Sequence, residues 1–98
     1  MYARLTATTL GTGQSDDSAT VFADLLPTLR SLDGFRGMVV LSELDGQRVV
    51  ALSFWESAEA VESGATTMDR LRDAETSLRQ VESQETTVFR VAGLDLTN

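Results

Sequence analysis

The chain contains no cysteine, histidine, lysine or isoleucine, and only one proline and one tryptophan. Without cysteine there is no thiolate nucleophile, disulfide or zinc–sulfur site. Without histidine there is no Ser–His relay and no imidazole ligand for haem, copper or iron. Without lysine there is no Schiff-base chemistry and no internal pyridoxal phosphate linkage. All eight basic residues are therefore arginine. What remains for proton transfer is carboxylate, the phenol of Tyr2 and the backbone. No apolar run approaches the ~20 residues of a membrane span, and Met1-Tyr2-Ala3-Arg4 lacks a signal-peptide apolar core. The absence of cysteine agrees with a cytoplasmic location, which we expect, with no membrane partner.

Fifteen acidic residues against eight basic give a formal charge of −7, which argues against nucleic acid and anionic membranes as partners. At 98 residues, 42% hydrophobic and 23% charged, the composition is that of one globular domain spanning residues 1–98. No internal repeat, low-complexity segment or linker divides it.

The chain is organised around residues 34–57. Two apolar, β-prone runs flank Asp45-Gly46, a dipeptide suited to the positive φ angles of a type I′ turn, so the segment reads as a β-hairpin. Counting outward from that turn pairs Leu44 with Gln47, Ser42 with Val49, Met38 with Ser53 and Arg36 with Trp55. The other side pairs Glu43 with Arg48, Leu41 with Val50, Val39 with Leu52 and Gly37 with Phe54. In that register Gly37 leaves room for the Phe54 ring to lie across bare backbone.

Around the hairpin, residues 2–10 alternate Ala3, Leu5 and Ala7 against Arg4, Thr6 and Thr8, the period of a strand. Ser15 then offers an N-cap, with Asp16 and Asp17 in the first turn. Phe22, Leu25, Leu26, Leu29 and Leu32 recur at helical spacing. Pro27 is expected to kink or divide that helix, and Gly34 to cap its C-terminus. Ser57 caps a second helix whose buried stripe is Val61, Ala65, Met68, Leu71, Ala74 and Leu78, with a break expected at Gly64. Its outer face carries Asp69–Arg72, Arg70–Asp73 and Glu75–Arg79 pairs. Residues 85–94 return to strand.

The order β-α-β-β-α-β is the ferredoxin-like arrangement, an α+β fold with an antiparallel sheet. Right-handed crossovers place the first strand beside the third and both helices on one face. Yet both faces of the hairpin are apolar. The face without helices is expected to meet a second copy of the chain, making a homodimer.

Three stretches carry a family resemblance: Tyr2-Ala3-Arg4-Leu5, Gly34-Phe35-Arg36-Gly37-Met38-Val39-Val40, and Ser53-Phe54-Trp55-Glu56-Ser57. Together they resemble the antibiotic-biosynthesis monooxygenase (ABM) domains. The resemblance implies a dimeric α/β barrel in which two sheets face each other, helices lie outside, and each protomer holds a ligand cleft between helices and sheet. Members include cofactor-free oxygenases of polycyclic aromatic compounds and haem-degrading enzymes. The haem-degrading branch uses a histidine on the second helix, an asparagine in the first strand and a further tryptophan on the helix. Here there is no histidine, the only asparagine is Asn98 and the only tryptophan is in the hairpin, so that chemistry is not expected.

Other patterns have plainer readings. Gly11-Thr12-Gly13 lacks the third glycine of a dinucleotide loop, since position 16 is Asp, and reads as a turn. Asp69, Asp73 and Glu75, interleaved with Arg70, Arg72 and Arg79, read as a solvated helix face and not as a metal site. The candidate ligand-binding residues are Trp55, Arg36, Arg4, Tyr2, Met38 and Ser53. Trp55 and Arg36 supply either a cation–π contact within the fold or a stacking wall for an aromatic ligand. On the resemblance, the expected function is a monooxygenase needing neither metal nor organic cofactor, in which Arg36 or Arg4 stabilises a substrate anion. The alternative is a non-catalytic dimeric module that binds a small apolar molecule or has no ligand.

Overall fold

The computed structural model describes residues 1–11, 18–76 and 81–97. The elements are β1 (Tyr2–Leu10), α1 (Ser18–Arg30), β2 (Phe35–Ser42), β3 (Arg48–Trp55), α2 (Ala58–Thr76) and β4 (Val81–Arg90). The four strands form one antiparallel sheet in the order β2-β3-β1-β4, so the first strand lies beside the third as expected. The fold is the ferredoxin-like α+β fold.

Strand registers assign the two faces. Phe35, Trp55, Tyr2 and Arg90 form one row across the sheet, and Met38, Ser53, Arg4 and Val88 the next. Both rows lie on the side covered by the helices. There the β1–β4 half is polar: the Thr6 and Thr86 hydroxyls lie 3.3 Å apart, and Gln84 Nε2–H donates to Thr8 Oγ1 at 3.1 Å. The opposite face carries Leu5, Val39, Leu41, Val50, Leu52, Phe54 and Phe89 and has no helix over it.

The core sits where α2 crosses the ends of β1, β2 and β3. Trp55, Ala60 and Val61 form its centre, with Tyr2, Leu32, Phe35 and Met68 packed around them. Ser57 caps α2, its Oγ accepting from the Ala60 N–H at 3.1 Å.

Several local expectations are corrected. The hairpin register holds from Gly37 to Ser42, but a β-bulge follows, so Phe35 and not Arg36 stands opposite Trp55. The positive φ at the hairpin turn falls on Asp45 (57°), with Gly46 outside the left-handed region, so this is not a type I′ turn. Pro27 does not divide α1. It stands late in the helix, where the missing N–H costs one bond and the chain still reaches Arg30. Gly34 has φ 79° but lies beyond the helix end. A Cβ there would stand 2.5 Å from the Ala60 Cβ, so this glycine serves the approach of α2. Gly64 lies inside α2 and breaks nothing. Strand β4 begins at Val81 and ends at Arg90, because it pairs along the whole of β1 down to Leu10. Thr12, Gly13, Ser15, Asp16, Asp17, Leu78 and Arg79 lie outside the described residues, as do the side chains of Arg72, Asp73, Ala74 and Glu75.

Candidate functional site: a cleft between α1 and β2

Strand β2 is an edge strand, and α1 runs along it. Leu29 is buried, 1% exposed, and anchors the helix to the sheet. One and two turns earlier on the same face, Leu26 and Phe22 are only half-buried. They face a cleft of about 380 Å³ whose other wall is Phe35, Arg36, Gly37 and Met38 of β2, with Arg30 at its end. Arg30 occupies the last turn of α1, where the helix dipole favours a cation.

The bulge shapes this wall. Two residues, Phe35 and Arg36, share the place opposite Trp55, and Gly37 takes φ 152°. A Cβ on Gly37 would meet nothing within 4 Å. The glycine is therefore needed for backbone geometry, and the expected seat for the Phe54 ring over it is absent. The bulge turns Phe35 inward, edge-on to Trp55 with ring centroids 5.4 Å apart and planes at 76°. It leaves Arg36 exposed at the rim, where Nη2 lies 3.4 Å from Glu56 Oε1. An Arg36–Trp55 cation–π contact is not formed.

A second cluster lies beneath α2. Trp55 is completely buried, and its Nε1–H donates to Ser53 Oγ at 2.9 Å. Ser53, 1% exposed, in turn donates to the Arg4 carbonyl at 3.4 Å. The Arg4 guanidinium, itself buried, forms an ion pair with Asp69 of α2. Asp69 thus reaches toward the sheet; the expected pair with Arg72 involves a side chain outside the described residues.

Of the six residues singled out in the sequence, Arg36 and Met38 line the cleft. Arg4, Ser53 and Trp55 form the buried cluster, with the half-buried Tyr2 packed against Trp55, and Phe35 belongs to both, lining the cleft and packing edge-on with Trp55. Phe22, Leu26 and Arg30 were not anticipated as a site. Their spacing of four residues was visible as one helical face, but nothing local said that its outer half would stay uncovered.

Residues 1–74 match the sequence model of the antibiotic biosynthesis monooxygenase family, ABM. The chain is an ABM-family domain. No individually curated protein matches it. Among solved structures, the ABM domain superposes on SnoaB, a cofactor-independent oxygenase from Streptomyces nogalater, at 20% identity and TM-score 0.70, covering 95% of this chain and 94% of that one. A monooxygenase from the ActVA-Orf6 gene of Streptomyces coelicolor, in complex with nanaomycin D, gives 21% identity and TM-score 0.67 over 99% of this chain and 92% of the other. The heme-degrader MhuD from Mycobacterium tuberculosis, with two hemes bound in its active site, gives 20% identity and TM-score 0.71 over 99% and 100%. At these identities the likeness establishes the fold. Relatives with such different ligands share it, so the reaction must be argued from the site.

Proposed function

We propose that this ABM domain is a cofactor-independent monooxygenase that holds an aromatic or polyketide-like small molecule in the α1–β2 cleft and acts as a homodimer. The observation that carries the reading is the cleft itself. Its volume of about 380 Å³ is in the range of small-molecule sites. Phe22 and Phe35 offer ring faces and edges, Leu26 and Met38 apolar contact, and Arg30 and Arg36 positive charge. Family membership and the cofactor-independent oxygenase among the structural relatives support the same class of chemistry.

A monooxygenase with no external reductant balances only if the substrate supplies all the electrons. A methylene oxidised to a carbonyl gives up four, which reduces dioxygen: one oxygen atom becomes the carbonyl and the other leaves as water. Such a methylene becomes reactive when aromatic rings and a phenol let it ionise to a delocalised anion. The domain's part is then to orient that anion and stabilise its charge, which arginines at the end and rim of an apolar cleft suit.

The second reading is a non-catalytic binding module. It is favoured by one observation: among the described residues, those lining the cleft include no carboxylate or hydroxyl to take a proton. Oxygen uptake with a panel of hydroxylated polycyclic aromatics, run beside direct binding titrations, separates the two. Uptake stoichiometric with product supports the oxygenase; binding without uptake rejects it in favour of the module.

A further inference from the structure

The two guanidiniums of the cleft are not equivalent. Arg36 is engaged by Glu56, whereas Arg30 forms no ion pair among the described residues. The backbone of Glu56 is held in place. It is joined to the fully buried Trp55, and its backbone N–H donates to the Gly34 carbonyl at 2.8 Å. The Glu56 backbone therefore stays beside the cleft rim, and its carboxylate can release Arg36 without any change in the fold. The two side chains are 55% and 61% exposed, so water screens their attraction. An anionic oxygen lodged between Arg36 and Arg30, against the Phe22 and Phe35 rings, would be better desolvated than Glu56 and could accept paired N–H bonds from a guanidinium.

We propose that Glu56 is a built-in competitor that sets the ligand preference of the cleft: it holds Arg36 at the rim when the cleft is empty, and an aromatic anion displaces it to bridge Arg36 and Arg30. The inference rests on the α1–β2 cleft being the ligand site. It assigns the charge of the ligand, an aromatic carboxylate or phenolate, and makes Glu56 a specificity-determining residue that touches no ligand. In a chain of net charge −7, such a device admits anions only where a local cation is released to meet them.

The test is calorimetric titration with 2-naphthoate and its neutral counterpart 2-naphthalenemethanol, at low and high salt. The wild-type domain should bind the carboxylate more tightly than the alcohol. Glu56→Gln should tighten the carboxylate about two- to fivefold, the range of an exposed ion pair, and leave the alcohol unchanged. Arg36→Gln should weaken the carboxylate, and adding Glu56→Gln to it should have no further effect. Arg30→Gln should weaken the carboxylate in both backgrounds. All three positions are exposed, so the variants should fold, and unchanged thermal transitions check this. If both probes bind but Glu56→Gln alters neither, or alters both equally, the competitor is overturned while the cleft stands. If neither probe binds any variant, the cleft reading fails and this inference falls with it.

Discussion

A Cβ placed on Gly64 would stand 2.5 Å from Cη2 of Trp55 and 2.7 Å from Cζ3, closer than any atom pair of that kind can approach. The glycine inside α2 is the recess into which the indole fits. Gly64→Ala should therefore destabilise the domain by about 1–3 kcal/mol through overpacking, although alanine is the better helix former by about 1 kcal/mol. Urea unfolding measures this. A stabilised Gly64→Ala would show that the indole does not rest on α2.

On the same geometry Trp55 is packed wholly inside the domain, and a structural role is the expectation to be tested. Trp55→Phe keeps a ring but removes the Nε1–H that bonds Ser53 and leaves space beside Gly64. A loss of about 1–3 kcal/mol in unfolding free energy is expected, with the affinity for 2-naphthoate changed less than twofold, because the indole does not line the cleft. A tenfold loss of affinity with unchanged stability would place Trp55 at the ligand.

How far the sequence carried depended on range. Alternation from Tyr2 to Leu10, the apolar runs around Asp45-Gly46 and the Ser57 cap were local signals, and the elements they announce are present. The failures came where one residue answers to another far along the chain. Gly64 looked like a helix break because a glycine's local meaning is flexibility; its real partner is Trp55, nine positions earlier and on another element. Asp69 read as half of an intrahelical pair because Arg72 is three residues away, and nothing local announced that it pairs with Arg4, 65 positions distant. Arg36 was misplaced by one residue because a bulge carries no mark in composition, and that slip moved a candidate cation from the Trp55 row to the cleft rim. The cleft itself required knowing which half of the α1 stripe the sheet leaves uncovered.

The Arg4–Asp69 pair makes an asymmetric prediction. The Arg4 side chain is 7% exposed and Asp69 44% exposed, so losing the carboxylate strands a buried charge, whereas losing the arginine leaves a carboxylate that water already reaches. Asp69→Asn should cost about 1–3 kcal/mol, less than the 3–5 kcal/mol of a fully buried pair because water reaches Asp69. Arg4→Met, which keeps the length of the side chain and removes the charge, should be close to neutral. Thermal unfolding of both variants and of the double variant tests this. A larger loss for Arg4→Met than for Asp69→Asn would contradict it.

The last prediction concerns the bare face of the sheet. Leu41 is 53% exposed, Phe89 49% and Val39 38%, at positions shared with Leu5, Val50, Leu52 and Phe54 on the side that the helices leave uncovered. An apolar surface of this kind, flanked by a polar chain of net charge −7, is what a two-fold interface between identical chains would bury. Light scattering should report about twice the chain mass of 10.6 kDa. Leu41→Arg should shift it to the chain mass, since the side chain is half-exposed in one protomer and would carry an unpaired charge into the interface. Leu44→Arg is the control: Leu44 lies at the hairpin tip, 92% exposed, outside the apolar face, and should leave the mass unchanged. If Leu41→Arg remained dimeric, the bare face would not be the interface; if the wild-type domain scattered as a monomer, the dimer and the closed barrel built on it would both be lost.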